Sequence, residues 1–331
     1  MLPLLPMEFP NGQIRTALAA ASAHVRLSLG TLGGSNPLVL PNADFFPDVF
    51  IGDEASVQRL TDRLLEHAGL PEMAVVARFW GGASENCGTG ACGSCGPAQA
   101  DPQAESVERL VDAGEFWQVN VLPAEAAQPV ALTSALCRAV ALAVLREADS
   151  PPTQLNLDLA VDLTAVQLGF GVLLLEGSHI YRNSCGGPSI ARTTALGPTE
   201  VALVLALSAA VNEQSLRAVN KYLSPTQREA FAEAKAWADS NWPLVQALRQ
   251  DPKRVARGEF ELREPASWLG RWLGGKVKRT PRAADASTID ELEAALATSQ
   301  SLGPARRSPQ LRAHDPNFDE IKRLVDEALA E

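Results

Sequence analysis

Apolar residues recur at helical spacing along much of the chain. In GQIRTALAAASAHVRLSL (12–29), Ile14, Leu18, Ala21, Val25 and Leu29 share one face and predict a helix. The stretch 38–70 reads as an extended entry and then a helix. DEAS supplies the start, Val57, Leu60, Leu64 and Leu65 the buried face, and Gly69 the stop. MAVVARFW (73–80) and GEFWQVNVLP (114–123) read as strands, with a long polar loop over 81–105 between them. Four helices follow, over 131–147, about 155–176, 199–222 and 224–242, separated by SPPTQ and by a Gly/Ser/Cys loop at 177–198. Ser224 caps the last of them and Pro225 takes its first helical position. This order predicts an α+β fold: a small N-terminal sheet of two to four strands, then a mainly helical body.

The pattern changes after about residue 252. PASWLGRWLGGKVKR (265–279) is a short basic amphipathic segment whose Trp268 and Trp272 make it the first candidate for a partner-binding surface. TPRAADAS reads as a linker and GPARRSPQLRAHDP as a disordered stretch, and TIDELEAALATS (288–299) and NFDEIKRLVDEALAE (317–331) read as short helices. The expected organisation is an N-terminal helix and connector (1–36), a domain (37–250) carrying the 81–105 insertion, and a tail of short helices and linkers (251–331).

Composition narrows the function classes. A formal net charge of -10 argues against nucleic acid as a partner, and 46% hydrophobic residues predict a globular chain. No uninterrupted apolar run reaches the length of a membrane span, and the proline-containing start MLPLLPMEFPNGQIR does not read as a signal peptide. Five cysteines, an odd number, fit a reducing compartment, so the expected location is cytoplasmic.

Two constellations carry candidate chemistry. ENCGTGACGSCG spaces Cys87, Cys92 and Cys95 as C-x4-C-x2-C, and Cys-x2-Cys is the usual knuckle for a thiolate-bound zinc. Cys185 in NSCGGP is the best fourth ligand and His179 another; an iron–sulfur cluster fits less well. The bland alternative is a Gly/Cys-rich insertion that happens to carry thiols. In TSALCRAVALAVL (133–145), Arg138 interrupts an apolar helix, and a guanidinium is costly to bury without a partner. Asp158 and Asp162 share a face at i, i+4 of the next helix and are its obvious partners. The four histidines are scattered, and there is no G-x-S-x-G, P-loop or G-x-G-x-x-G.

Several strings resemble an uncharacterised bacterial family of zincin-like (H-E-x-x-H) metallopeptidase sequences. LPNADFFPDVFIGDEASVQRLTDRLLEHAGL is similar to the family's entry and first helix. DLAVDLTAVQLGFG is similar to its E-P-L-T-D-L-L-T-V-F-L-G-L-G, ending in the same Leu168-Gly169-x-Gly171. TALGPTEVALVLALSAA and YLSPTQREAFAEAKAWA resemble its closing helices, so the likeness runs over about 37–242. The motif itself is missing. Set against L-V-A-T-L-A-H-E-L-x-H, the run VLPAEAAQPVALTSALCRAVALAVL puts Arg138 at the first His, Ala139 at the Glu and Leu142 at the second His. A register shifted by one would put Cys137 first, still without a base or a second ligand. Asp158 falls on the family's Glu and Asp162 on the Asp of its T-D.

The resemblance implies a degenerate member with no catalytic residues. One cation, the guanidinium, would replace another between two retained carboxylates. The expected function is a binding or assembly module with protein partners. A metal or redox protein built on the cysteine loop is the alternative, and a hydrolase with a relocated site the third reading.

Overall fold

The computed structural model describes residues 8–30, 32, 36–80, 108–184 and 187–263. Cys87, Cys92, Cys95, Cys185, Trp268, Trp272 and the helices expected at 288–299 and 317–331 lie outside the described residues. The chain divides into two compact units, 1–293 and 294–331, and the first holds every described residue.

Helix α1 (Gly12–Leu29) starts where Asn11 accepts a hydrogen bond from the Ile14 amide, and it buries Ile14, Leu18, Val25 and Leu29. Helix α2 (Glu54–His67) is capped by Asp53, whose side chain accepts from the Ser56 amide. Gly69 ends it with a φ of 73°, a left-handed turn that suits glycine.

A three-stranded sheet follows. Strands β1 (Val75–Phe79) and β3 (Trp117–Val121) pair in parallel, and β2 (Leu110–Asp112) lies antiparallel on the other side of β3. The sequence pattern did not signal β2, which is three residues long. The outer edge of β1 is closed by side chains of α2. Gln58 donates to the Val75 carbonyl and accepts from the Ala77 amide, at 3.0 and 2.7 Å, and Glu54 accepts from the Phe79 amide. An edge that would otherwise offer unpaired amides is thereby blunted.

After a single turn, α3 (Pro123–Ala126), come α4 (Pro129–Glu147) and α5 (Leu157–Ala165). The sequence predicts one continuous helix to 176, but the chain breaks at a π turn over Val166–Phe170, where Gly169 has a φ of 97°. A side chain there would also collide with the crossing segment: a Cβ would sit 2.2 Å from the Pro37 carbonyl oxygen. Gly171 opens α6 (Gly171–Gly177), and a Cβ there would come within 2.7 Å of Leu205. The Leu-Gly-x-Gly string is thus a crossing point of chain segments.

The expected Gly/Ser/Cys loop contains a hairpin, β4 (Ile180–Ser184) with β5 (Gly187–Ala191). Helix α7 (Pro198–Val211) is buried on all faces and sits at the centre of the helical body, against α1, α6, α8 (Pro225–Ser240) and α9 (Trp242–Gln250). Ser224 caps α8 as expected, in a capping box with Gln227. Helix α7 stops at 211 rather than 222, and a 3₁₀ turn (Val219–Lys221) fills the gap. Helix α10 (Pro252–Ala256) packs on α1. The packed body therefore extends on both sides of 37–250, with α1 inside it.

Two helical stretches are long and apolar enough to cross a membrane by length and composition, Pro129–Glu147 and Leu157–Gly177. Their apolar windows are 67% and 89% buried inside the protein, and the second contains the π break. Helix α4 joins the sheet to the helical body, packing on α2, β2 and β3 and also on α5 and α6.

Candidate functional site

Helix α4 buries Leu132, Leu136, Val140 and Val144 and leaves Ala135, Arg138 and Leu142 half-buried along one stripe. Arg138 and Leu142 are thus neighbours one turn apart, while Ala139 points into the core. Helix α5 begins beneath this stripe. Asn156 caps it by accepting from the Asp158 amide, which puts Asp158 in the first turn and Asp162 one turn deeper.

The three charged residues meet. Arg138 Nε donates to Asp162 Oδ1 at 2.7 Å, Nη2 to Asp158 Oδ1 at 2.8 Å, and Nη1 to the Thr193 carbonyl at 3.0 Å. The other Asp162 oxygen accepts from the Leu196 amide at 2.9 Å. Side-chain exposure grades the cluster from 0% at Asp162 through 23% at Arg138 to 72% at Asp158. Burial pushes the Asp162 carboxyl above the ordinary aspartate value, against the Arg138 guanidinium and the Leu196 and Ala195 amides, which favour its charged form.

The cluster holds more than two helices. The Thr193 hydroxyl hydrogen-bonds with the Ser134 hydroxyl and the Gly177 carbonyl, so the 193–196 segment is clamped to α4, α5 and α6 just before α7 begins. Gly177 is required at this junction, since a Cβ would lie 2.2 Å from the Ser134 hydroxyl. Beside it on α6, burial alone raises the Glu176 carboxyl to about 7. Cys137 is fully buried and its thiol pKa is pushed well up, so it is not poised as a nucleophile. Among the described residues no three His, Cys, Asp or Glu side chains converge as a metal-ligand set. Of the residues singled out in the sequence, Arg138, Asp158 and Asp162 are brought together. Leu142 lies on the same stripe, and Ala139 faces away.

A second feature was not singled out in the sequence. Where 41–50 crosses α2 and the start of α4, it leaves a cavity of about 450 Å³ lined by apolar residues including Phe46, Val49, Phe50 and Leu132 and by the Asp48–Arg63 ion pair. The loop over it is firmly tied. Asn42 accepts from the Asp44 and Phe45 amides and donates to the Tyr222 hydroxyl. The Phe45 carbonyl contacts His67 Nε2 at 2.9 Å, and the Phe45 and Phe46 rings meet His67 edge-on at 5.2 and 5.8 Å. Arg63 holds Asp48 at 2.8 Å and keeps its carboxyl below the usual value. Even so, Val49 is 76% exposed and Ile51 70%. The signal in the sequence was FFPDVFI itself, a run too apolar for a surface connector.

No protein-family model, curated protein or solved structure matches the chain.

Proposed function

We propose that the chain is a non-catalytic, zincin-like scaffold that works by binding other proteins. The observation that carries this reading is Arg138. Its guanidinium spends all three nitrogens on Asp162, Asp158 and Thr193, at the position where the resemblance places the first zinc-binding histidine. The two positions that would supply the base and the second ligand hold Ala139 and Leu142, neither of which can move a proton or bind a metal. A cation fixed by two carboxylates joins the same two helices that a bridging metal would join. Hydrogen bonds from Arg138 and the Leu196 amide offset part of the cost of placing Asp162 in the interior.

On this reading the retained acids serve structure, and function lies on surfaces. The protein would act in the cytoplasm, and any zinc it carried would be structural and held by Cys87, Cys92, Cys95 and Cys185. Elemental analysis of the purified chain, with and without Cys92→Ser/Cys95→Ser, tests this together with an assay on labelled casein. The expected result is no hydrolysis, with any bound zinc lost in the cysteine variant. Stoichiometric zinc that persists in that variant, accompanied by casein cleavage, would overturn it.

A further inference from the structure

The groove between residues 41–50, α2 and the start of α4 holds a cavity of about 450 Å³, within the range of small-molecule pockets, roughly 300–1,000 Å³. Phe46, Phe50, Leu60 and Leu132 line it, with Pro41 and Pro129 beside them. The loop that covers it is fixed in advance. Asn42 ties it to its own backbone and to Tyr222, the Phe45 carbonyl meets His67, and Asp48 holds Arg63. An apolar hole that exists before its occupant arrives spares that occupant the entropy of ordering the site.

The charges around the cavity cancel. Asp48 and Arg63, the charged residues of its described lining, pair at 2.8 Å. Just beyond them Glu66 takes another nitrogen of Arg63, and Arg59 acts on Asp48 in the same sense as Arg63. Two acids thus stand with two arginines. A charged ligand would give up its hydration here and find no unpaired counter-charge.

The uncharged polar groups of the lining are spent as well, with one exception. Asn42 Oδ1 accepts from the Asp44 and Phe45 amides, and its Nδ2 donates to Tyr222. Ser56 Oγ accepts from the Gly52 amide and donates to the Asp53 carbonyl. Thr133 on α4 is the exception. It is half-buried in the lining, and its hydroxyl has no hydrogen-bond partner among the described residues. A single hydroxyl serves one polar group of a ligand. A peptide brings a donor and an acceptor with nearly every residue and would leave most of them unpaired in this cavity.

We propose that this cavity binds an uncharged small molecule with an aromatic or branched aliphatic body and a single hydroxyl or carbonyl group set against Thr133. The inference goes beyond the scaffold reading and stands independently of it.

The neutral fluorophore prodan, a naphthalene with one carbonyl that shifts to the blue in apolar surroundings, serves as the probe with the full-length chain. The expected result is saturable binding of one probe per chain that is not weakened by added salt. Naphthol should displace it, whereas naphthoate and protonated naphthylmethylamine should need at least about tenfold higher concentrations. Thr133→Val keeps the side-chain shape and should weaken probe binding about three- to tenfold. Thr133→Trp fills the cavity and should abolish binding, with the melting temperature showing whether the variant is folded. Should it unfold, Phe50→Asp gives the same reading from the opposite wall. That side chain is 36% exposed, and a loss of at least about tenfold is expected. The proposal is overturned by the absence of saturable binding, by equal displacement with charged and neutral naphthalenes, or by unchanged binding in a folded Thr133→Trp or Phe50→Asp chain. Wild-type affinity in Thr133→Val would overturn the polar contact assigned to Thr133. Zinc-dependent casein cleavage would sink the scaffold reading and leave probe binding unchanged.

Discussion

At its middle, α4 turns Arg138 into an ionic cluster in which donors and acceptors are matched. Near its N-terminus, Pro129, Leu132 and Thr133 line an open apolar groove. The first region is polar, internally paired and linked to three other segments of chain. The second is mainly apolar and exposed, and its polar lining residues Asn42, Asp48 and Arg63 tie its loop in place. The contrast is between charges already paired within the protein and apolar side chains left uncovered. Unspent interaction free energy lies instead where Val49 and Ile51 stand in water.

The sharpest way to break this contrast is to remove the guanidinium. Arg138→Ala would leave Asp162 buried with only backbone partners and is expected to cost about 3–5 kcal/mol in denaturant unfolding. A cost below about 1 kcal/mol would mean the cluster is ornamental. Gly169→Ala forces a positive φ on a residue with a Cβ and drives that Cβ onto the Pro37 carbonyl, so a loss of about 3 kcal/mol is expected. Asp158→Ala should cost under about 1 kcal/mol, because its carboxylate is 72% exposed. The two aspartates would then differ sharply in weight although they share one arginine. On the loop over the groove, Val49→Ser and Ile51→Ser should change stability by no more than about 0.5 kcal/mol, since both side chains stay largely exposed.

The pH dependence adds a further distinction. Burial raises Glu176 from 4.5 to about 7, so the folded chain holds a proton there that the unfolded chain has released. Its contribution is fully present below about 4.5 and is lost as pH rises through about 7. Melting temperatures across that window should fall in the wild type and flatten in Glu176→Gln.

Much of the body was legible because periodicity and caps agreed. Asp53 and Ser224 mark helix starts that the structure keeps, and Arg138 with its two aspartates could be paired from the cost of burying a charge. What was missed depends on distant segments. The π break at Gly169 exists because Pro37 crosses there, so no local window contains its cause. The hairpin β4–β5 sits in a Gly/Ser-rich stretch with little strand propensity, and β2 gains its place from β3. The groove went unread because its lining comes from three segments, 41–50, α2 and the start of α4.

The proposal above places Arg138 at the position of a zinc-binding histidine. It is tested most directly by Arg138→His/Leu142→His, made in the Cys92→Ser/Cys95→Ser chain and titrated with zinc by calorimetry. Two imidazoles one turn apart beside Asp158 and Asp162 make a plausible His/His/Asp ligand set. The account predicts one zinc bound per chain, a higher melting temperature in its presence, and neither effect in the chain that retains Arg138. A folded double-histidine variant that takes up no zinc, or equal uptake with Arg138 in place, would contradict it.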